Sequence, residues 1–206
     1  MKNRISTSIL TTACLIAVPS FASDADQLRQ KLISIKSLHA QFEQKVTDIN
    51  GKTIQNGSGI FALSNPSKLY WNLIDPDESL IVANKDTVWV YNPFAEEVTL
   101  FSLDQAVASS PMTLLIHRDN TTWSKYLVVK KDQCYGITPK IAEGNVTKVT
   151  ACFKGKEIAS FSINDSQGNV SLFTLSEQRE LSPEERSLFD FVPPKDVDID
   201  DQRPQY

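Results

Sequence analysis

The stretch Asn65–Pro93, NPSKLYWNLIDPDESLIVANKDTVWVYNP, alternates strand-like runs rich in aromatic and branched side chains with turns built from Asn, Asp, Pro and Lys. Short connections of this kind join antiparallel neighbours, whereas a parallel crossover needs a dozen or more residues, so the stretch reads as an antiparallel meander. Leu69, Trp71 and Leu73 share one face of the first run, and Trp89 and Tyr91 share one face of the last. A sheet this apolar must face something apolar, either a closed core or a cargo.

Upstream of the meander, Ser23 or Asp24 can cap an amphipathic helix that carries Leu28, Leu32 and Ile35 on one face. The period changes near Ser37. From there Leu38, Ala40, Phe42, Gln44 and Val46 alternate with more polar neighbours in strand fashion. Asn50-Gly51 marks a hairpin, and Asn56-Gly57 a bulge or second bend in the next strand, Ile54–Leu63. Lys68–Ile74, Ser79–Ala83, Thr87–Tyr91 and Glu96–Phe101 continue the sheet.

Downstream the strand period breaks at two helical pieces, Asp104–Ala108 and Pro111–Ile116, the latter with Ser110 as its cap and Pro111 in the first helical position. Strands resume at Tyr126–Lys130, Cys134–Thr138, Val146–Phe153, Ile158–Asn164 and Val170–Gln178. A segment with Leu188, Phe189, Phe191 and Val192 ends at Pro193-Pro194, and the polar tail Asp200–Tyr206 reads as mobile. The expected fold is mainly β with an α lid: an incomplete antiparallel β-barrel of about 11 strands, covered by helices and enclosing a hydrophobic cavity.

The N-terminus speaks to compartment. Lys2 and Arg4 precede an apolar run, Ile9–Val18, and small residues at Ser20 and Ala22 suit cleavage after Ala22. Residues 1–22 are therefore expected to be a cleaved signal peptide, and 23–206 a single domain. The run is too short for a spanning helix of about 20 residues. Cys14 raises a lipoprotein signal as a rival, but it sits inside the apolar run, with Thr11 where such signals carry Leu. The chain has 21 Lys and Arg against 25 Asp and Glu, with no basic cluster, which argues against nucleic-acid binding.

Cys134 and Cys152 each lie nine residues from Glu143, so a turn at Ala142–Asn145 would set them opposite each other. A cross-strand disulfide is the favoured reading, with two unpaired buried thiols as the alternative. Neither cysteine has close ligand spacing, and His39 and His117 stand apart, so no metal site is expected. No nucleophile elbow or phosphate loop occurs: Gly57-Ser58-Gly59 lacks the required spacing, and no cofactor or enzymatic activity is expected.

Several ordered motifs carry a resemblance. They are Leu38–Asp48 (LHAQFEQKVTD), Pro66 with Trp71, Pro76–Val82 (PDESLIV), Trp89–Phe94 (WVYNPF), the segment Pro111–Ile116, Thr138-Pro139-Lys140, Phe191–Pro194 (FVPP) and Asp200–Arg203 (DDQR). Through them the chain resembles the outer-membrane lipoprotein carrier family of Gram-negative bacteria. The resemblance implies a monomeric periplasmic chaperone that hides the acyl chains of triacylated lipoproteins. It would take them from an ATP-driven inner-membrane transporter complex and pass them to an outer-membrane receptor. The cavity would be lined or closed by Leu28, Leu32, Ile35, Leu69, Trp71, Trp89, Met112, Leu114, Leu115 and Ile116.

In that family Arg commonly precedes the proline that is Pro66 here, and tethers the lid. This chain has Asn65 at that place, whose amide can hydrogen-bond lid carbonyls. The alternative reading is the outer-membrane receptor, or a periplasmic lipid-sensing regulator, of the same half-barrel fold.

Overall fold

In the computed structural model, residues 22–109, 114–116, 119–142 and 144–204 are described, the side chains of 107–109 excepted. Residues 1–21, Ser110–Thr113 with Pro111 and Met112, His117, Arg118, Glu143 and residues 205–206 lie outside the described residues. The chain begins with helix α1 (Asp24–Ser34), whose first turn is capped by the Ser23 hydroxyl accepting from the Asp26 amide at 3.2 Å. Ile35 is its C-terminal cap, one residue beyond the helix proper.

Six strands follow: β1 (Ser37–Thr47), β2 (Thr53–Ser64), β3 (Lys68–Asp75), β4 (Ser79–Asn84), β5 (Thr87–Asn92) and β6 (Glu97–Ser102). Two short helices, α2 (Leu103–Ser109) and α3 (Asn120–Ser124), separate them from β7 (Tyr126–Lys131), β8 (Cys134–Pro139), β9 (Val146–Lys154), β10 (Glu157–Asp165) and β11 (Val170–Arg179). A 3-10 turn, Glu184–Phe189, and β12 (Asp198–Asp201) end the chain.

All twelve strands form one sheet in the order β12-β6-β5-β4-β3-β2-β1-β11-β10-β9-β8-β7. It consists of two antiparallel meanders joined where β1 pairs with β11. The outermost strands are β7 and β12, so the sheet is open. It is also strongly curled. Trp71 on β3 and Phe161 on β10 stand four strand spacings apart, roughly 19 Å in a flat sheet. Their ring centroids nonetheless approach to 5.7 Å.

β12 corrects the expectation of a mobile tail. Asp198–Asp201 pairs in parallel with Glu97–Leu100. Its side chains are all exposed, so the strand is held by main-chain bonds to the β6 edge, and an apolar pattern does not announce it. The Asn56-Gly57 expectation is shifted as well: β2 runs through that pair without a break, and the register slips at Ser58/Gly59 against β3. At Gly59 a Cβ would lie 2.0 Å from the Asn72 carbonyl oxygen and 2.7 Å from the Phe42 ring, so only glycine admits this approach.

Two apolar layers flank the sheet. Leu38, Ala40 and Phe42 alternate inward on β1, where they meet Phe61, Leu63, Leu69 and Trp71 under the helices. On the outer face Ala62, Val82 and Val98 are buried, as is Phe189 of the C-terminal segment. Trp89 belongs to this outer layer and not to the inner one where it was expected. Its register partners are Val82 and Leu100, and its ring lies 6.4 Å from Phe191. Strand periodicity groups residues by face, but Trp71 pairs with Ile81 and so with Val90, which leaves Trp89 on the opposite side.

The C-terminal segment is clasped to this outer face through Glu185. Its carboxylate accepts from both Arg179 guanidinium nitrogens, at 2.7 and 2.6 Å, and from the Ser182 amide at 2.8 Å. The Arg179 bonds, foremost, hold the Glu185 pKa down at about 2 from an ordinary value of 4.5. His39 Nε2 stands 3.5 Å from the same carboxylate, and its pKa is lowered mainly by burial.

Cys134 and Cys152 face each other across β8 and β9, disulfide-bonded. Replacing both by Ala should lower unfolding free energy by about 2–4 kcal/mol, measured by denaturant titration against the oxidised protein, and an unchanged midpoint would contradict a stabilising crosslink. Because the Glu185 pKa is depressed in the fold, its contribution is present above pH 4.5 and is lost as pH falls from there to about 2. Stability measured over that range should fall less steeply in Glu185→Gln than in the parent.

Candidate acyl-chain site

The inner face of the curled sheet is built from alternate residues of successive strands, and a ring cluster stands at its centre. Trp71 stacks on Phe42 with centroids 3.9 Å apart and meets Phe173 and Phe61 edge-on at 4.9 and 5.8 Å. Phe161 and Phe173 stack at 4.8 Å. Leu69, Ala83 and Val88 extend the wall toward α2, and Tyr135, Ile137, Ala151 and Phe153 extend it toward β7. Among the described residues the one buried polar side chain is Thr122.

Two separate caps close this face. The first is α1, which plants Leu28 and Leu32, 0% and 1% exposed, onto the core, with Ile35 half-buried beside them. The second is the segment Leu114–Ile116, every residue of which is at most 3% exposed. Both caps are driven down by the same effect: a fully buried Leu or Ile is worth about 1.5–3 kcal/mol relative to exposure. Met112, expected with the second cap, lies outside the described residues.

Polar contacts fasten α1 at its rim. At one end the Asp24 carboxylate accepts from the Lys130 amide at 2.8 Å, and Lys130 Nζ donates to Gln27 Oε1 at 3.1 Å. Midway, Lys31 Nζ donates to the Gly155 carbonyl at 3.2 Å and stands 5.1 Å from the centre of the Phe153 ring. At the other end the Asn65 side-chain amide donates to the carbonyls of Ile35 and Ile33 at 2.6 and 3.2 Å. These are carbonyls that the end of a helix leaves without intrahelical partners. The Asn65 main-chain amide adds a bond to the Lys36 carbonyl at 2.9 Å.

Nine of the ten residues expected to line or close the site are thus described, and eight share the inner core, the exception being Trp89. The structure adds Phe42, Phe61, Phe161 and Phe173 from the neighbouring strands β1, β2, β10 and β11, and the curl of the sheet brings Phe161 against Trp71. Period-2 alternation in Leu38–Val46 already pointed to Phe42. His39, Tyr70 and Glu185, each with a shifted pKa, belong to the outer face. The inner face therefore offers apolar surface and aromatic edges, a setting suited to flexible hydrocarbon.

No helix among the described residues is long and apolar enough to cross a membrane, and no group of three or more His, Cys, Asp or Glu among them could hold a metal ion. Residues 33–192 match the family model described as outer membrane lipoprotein carrier protein LolA. Relatives named "Outer-membrane lipoprotein carrier protein" include those of Shewanella putrefaciens, 48% identical over 203 residues, and Shewanella frigidimarina, 50% identical over 209 residues. In each case 98% of this chain and 98% of the relative are covered.

Among solved structures, an uncharacterized conserved protein from Thermus thermophilus superposes with a TM-score of 0.52 at 10% identity, covering 87% of this chain and all of that one. That likeness concerns the fold alone. A LolA superfamily protein from Nitrosomonas europaea gives 0.47 at 14% identity, over 80% of this chain and 97% of that one. On the family match and the near full-length relatives together, this chain belongs to the outer membrane lipoprotein carrier family.

Proposed function

We propose that this protein is a periplasmic carrier that hides the acyl chains of triacylated lipoproteins against the inner face of its sheet. It receives them from an ATP-driven inner-membrane transporter complex and delivers them to an outer-membrane receptor. Residues 1–22 act as the export signal, removed after Ala22. One observation carries the reading: a curled sheet with an apolar inner face is covered by two caps that can be lifted without breaking a strand pairing.

The energetics suit a carrier. Each acyl methylene exposed to water costs about 0.8 kcal/mol, so a three-chain anchor would cost tens of kcal/mol to cross the periplasm bare. Leu28, Leu32, Leu114, Leu115 and Ile116 occupy the same apolar surface and together gain on the order of 10 kcal/mol by their burial. Cargo must displace them, which lowers its net affinity. Release is then possible because the caps refold over the surface the cargo leaves.

Asn65 sets part of that balance. Its two amide bonds to the end of α1 are worth about 0.5–1.5 kcal/mol each in holding the first cap closed. Leu69, 1% exposed on the wall, bears directly on the hydrocarbon. Leu69→Glu should abolish loading, measured as lipoprotein released from inner-membrane vesicles, and normal transfer by that mutant would sink the assignment of this wall.

Asn65→Leu should loosen α1 and shift the balance of loading and delivery, whereas Asn65→Arg, which keeps donors, should preserve closure. Unchanged loading and delivery in both variants would remove position 65 from the mechanism. Mass spectrometry of protein purified from periplasm tests the role itself. Co-purified triacylated lipoprotein supports the carrier, and a lipid attached to this protein's own N-terminus would instead support a receptor.

A further inference from the structure

The segment from Leu181 to Gln202 runs over the outer face of the sheet, on the side away from the caps, yet one of its ends touches the root of α1 and the other the root of α2. At the first root, the Leu181 amide donates to the hydroxyl of Ser37, three residues after α1 ends, at 3.4 Å. Beside it, Lys68, in the strand that follows the Asn65 turn, places its ammonium 5.7 Å from the centre of the Phe189 ring. At the second root, Gln105 on α2 donates its side-chain amide to the Gln202 carbonyl at 3.0 Å. The carbonyl oxygen of the same Gln105 side chain accepts from the amide and hydroxyl of Ser102, where β6 gives way to α2.

Between these ends the segment is pinned to the sheet at several points. Phe189 is 1% exposed, and its carbonyl accepts from the Asn84 side-chain amide at 3.1 Å. Phe191 lies against Tyr91 and Trp89, with centroids 5.9 and 6.4 Å away. β12 then locks onto β6, with the Asp198 amide donating to Glu96 and the Gln202 amide to Leu100. From the tip of that strand, Arg203 reaches Thr87 at 3.4 Å.

We propose that this C-terminal segment is a belt that couples α1 to α2. An event that lifts the belt frees Ser37 and the Asn65–Lys68 turn at the root of α1, and frees Gln105 at the root of α2, in one motion. α2 carries Ala106 into the inner core, 3% exposed, and leads in sequence toward Leu114–Ile116. Through Ala106, loosening α2 bears on the inner core as loosening Ser37 bears on α1. The coupling is reciprocal by thermodynamic necessity: whatever loosens α1 or α2 also weakens the belt. The inference rests on the reading of α1 as a removable cap.

Amide hydrogen exchange on the full-length protein, without cargo, tests it. Phe189→Ala should speed exchange about fivefold or more in Asp24–Ser34 and in Leu103–Ala106, with β9 and β10 unchanged. Faster exchange confined to the belt and to β3 and β4 beneath it would overturn the coupling, as would a uniform rise across all strands. If Phe189→Ala does not fold, Phe191→Ala supplies the same comparison with the same two outcomes. Gln105→Ala should speed exchange in Asp198–Asp201, and an unchanged β12 would overturn the link at the second root. Because the readout needs no lipoprotein, failed coupling leaves the carrier role standing. Failed lipoprotein loading with coupling intact would strike the carrier role alone.

Discussion

The packing of Trp71 among Phe42, Phe61, Phe161 and Phe173 is the interaction on which the rest of the structure depends. It ties β3 to β10 across three intervening strands and so fixes the curl of an otherwise open sheet. Aromatic pairs at such distances contribute about 0.5–1.5 kcal/mol each beyond the area they bury. The curl creates the inner face, and the inner face in turn requires a cover. A closed barrel could fill itself with strand side chains alone, but this sheet leaves a gap between β7 and β12 that helices and short segments must span.

Covering by separable caps gives the protein two ways to satisfy the same surface. In one, that of the structure described, the chain's own leucines and isoleucines occupy it. In the loaded state hydrocarbon would do so, and the two states differ by an exchange of similar apolar contacts and not by exposure of a bare core. On the proposed carrier reading, polar bonds at the rim of α1, from Asn65, Lys31 and Asp24, would set where that exchange balances. A few net kcal/mol at the rim can thus decide between holding and releasing an anchor whose gross burial is far larger.

Much of this was legible in the residues, and the parts that were not have physical reasons. The boundaries of β1 to β11 follow alternation and turn chemistry, and α1 follows its cap and its Leu28, Leu32 spacing. The pairing of Cys134 with Cys152 could be read from equal distances to one turn, because a hairpin makes register a matter of counting. Trp89 was misplaced because period-2 alternation sorts residues into two faces without saying which face is inner. β12 was missed because its order comes from main-chain pairing at an edge, which Asp-Ile-Asp-Asp does not advertise. Phe161 and Phe173 were beyond reach for a third reason: their contact with Trp71 arises from tertiary curvature, which no local period encodes. The resemblance to lipoprotein carriers, resting on ordered motifs from Leu38 to Arg203, is confirmed by the family match over residues 33–192 and by the near full-length relatives.

The central claim is that hydrocarbon occupies the face carrying Trp71 and not the face carrying Trp89. Single-tryptophan variants, each retaining one of the three tryptophans with the others replaced by Phe, can be titrated with a triacylated lipopeptide whose acyl chains bear bromine, a contact quencher of indole fluorescence. The account predicts saturable quenching of Trp71, with Trp89 unaffected beside Phe191 on the outer face. Quenching of Trp89 with Trp71 untouched, or no quenching at either position, would contradict it.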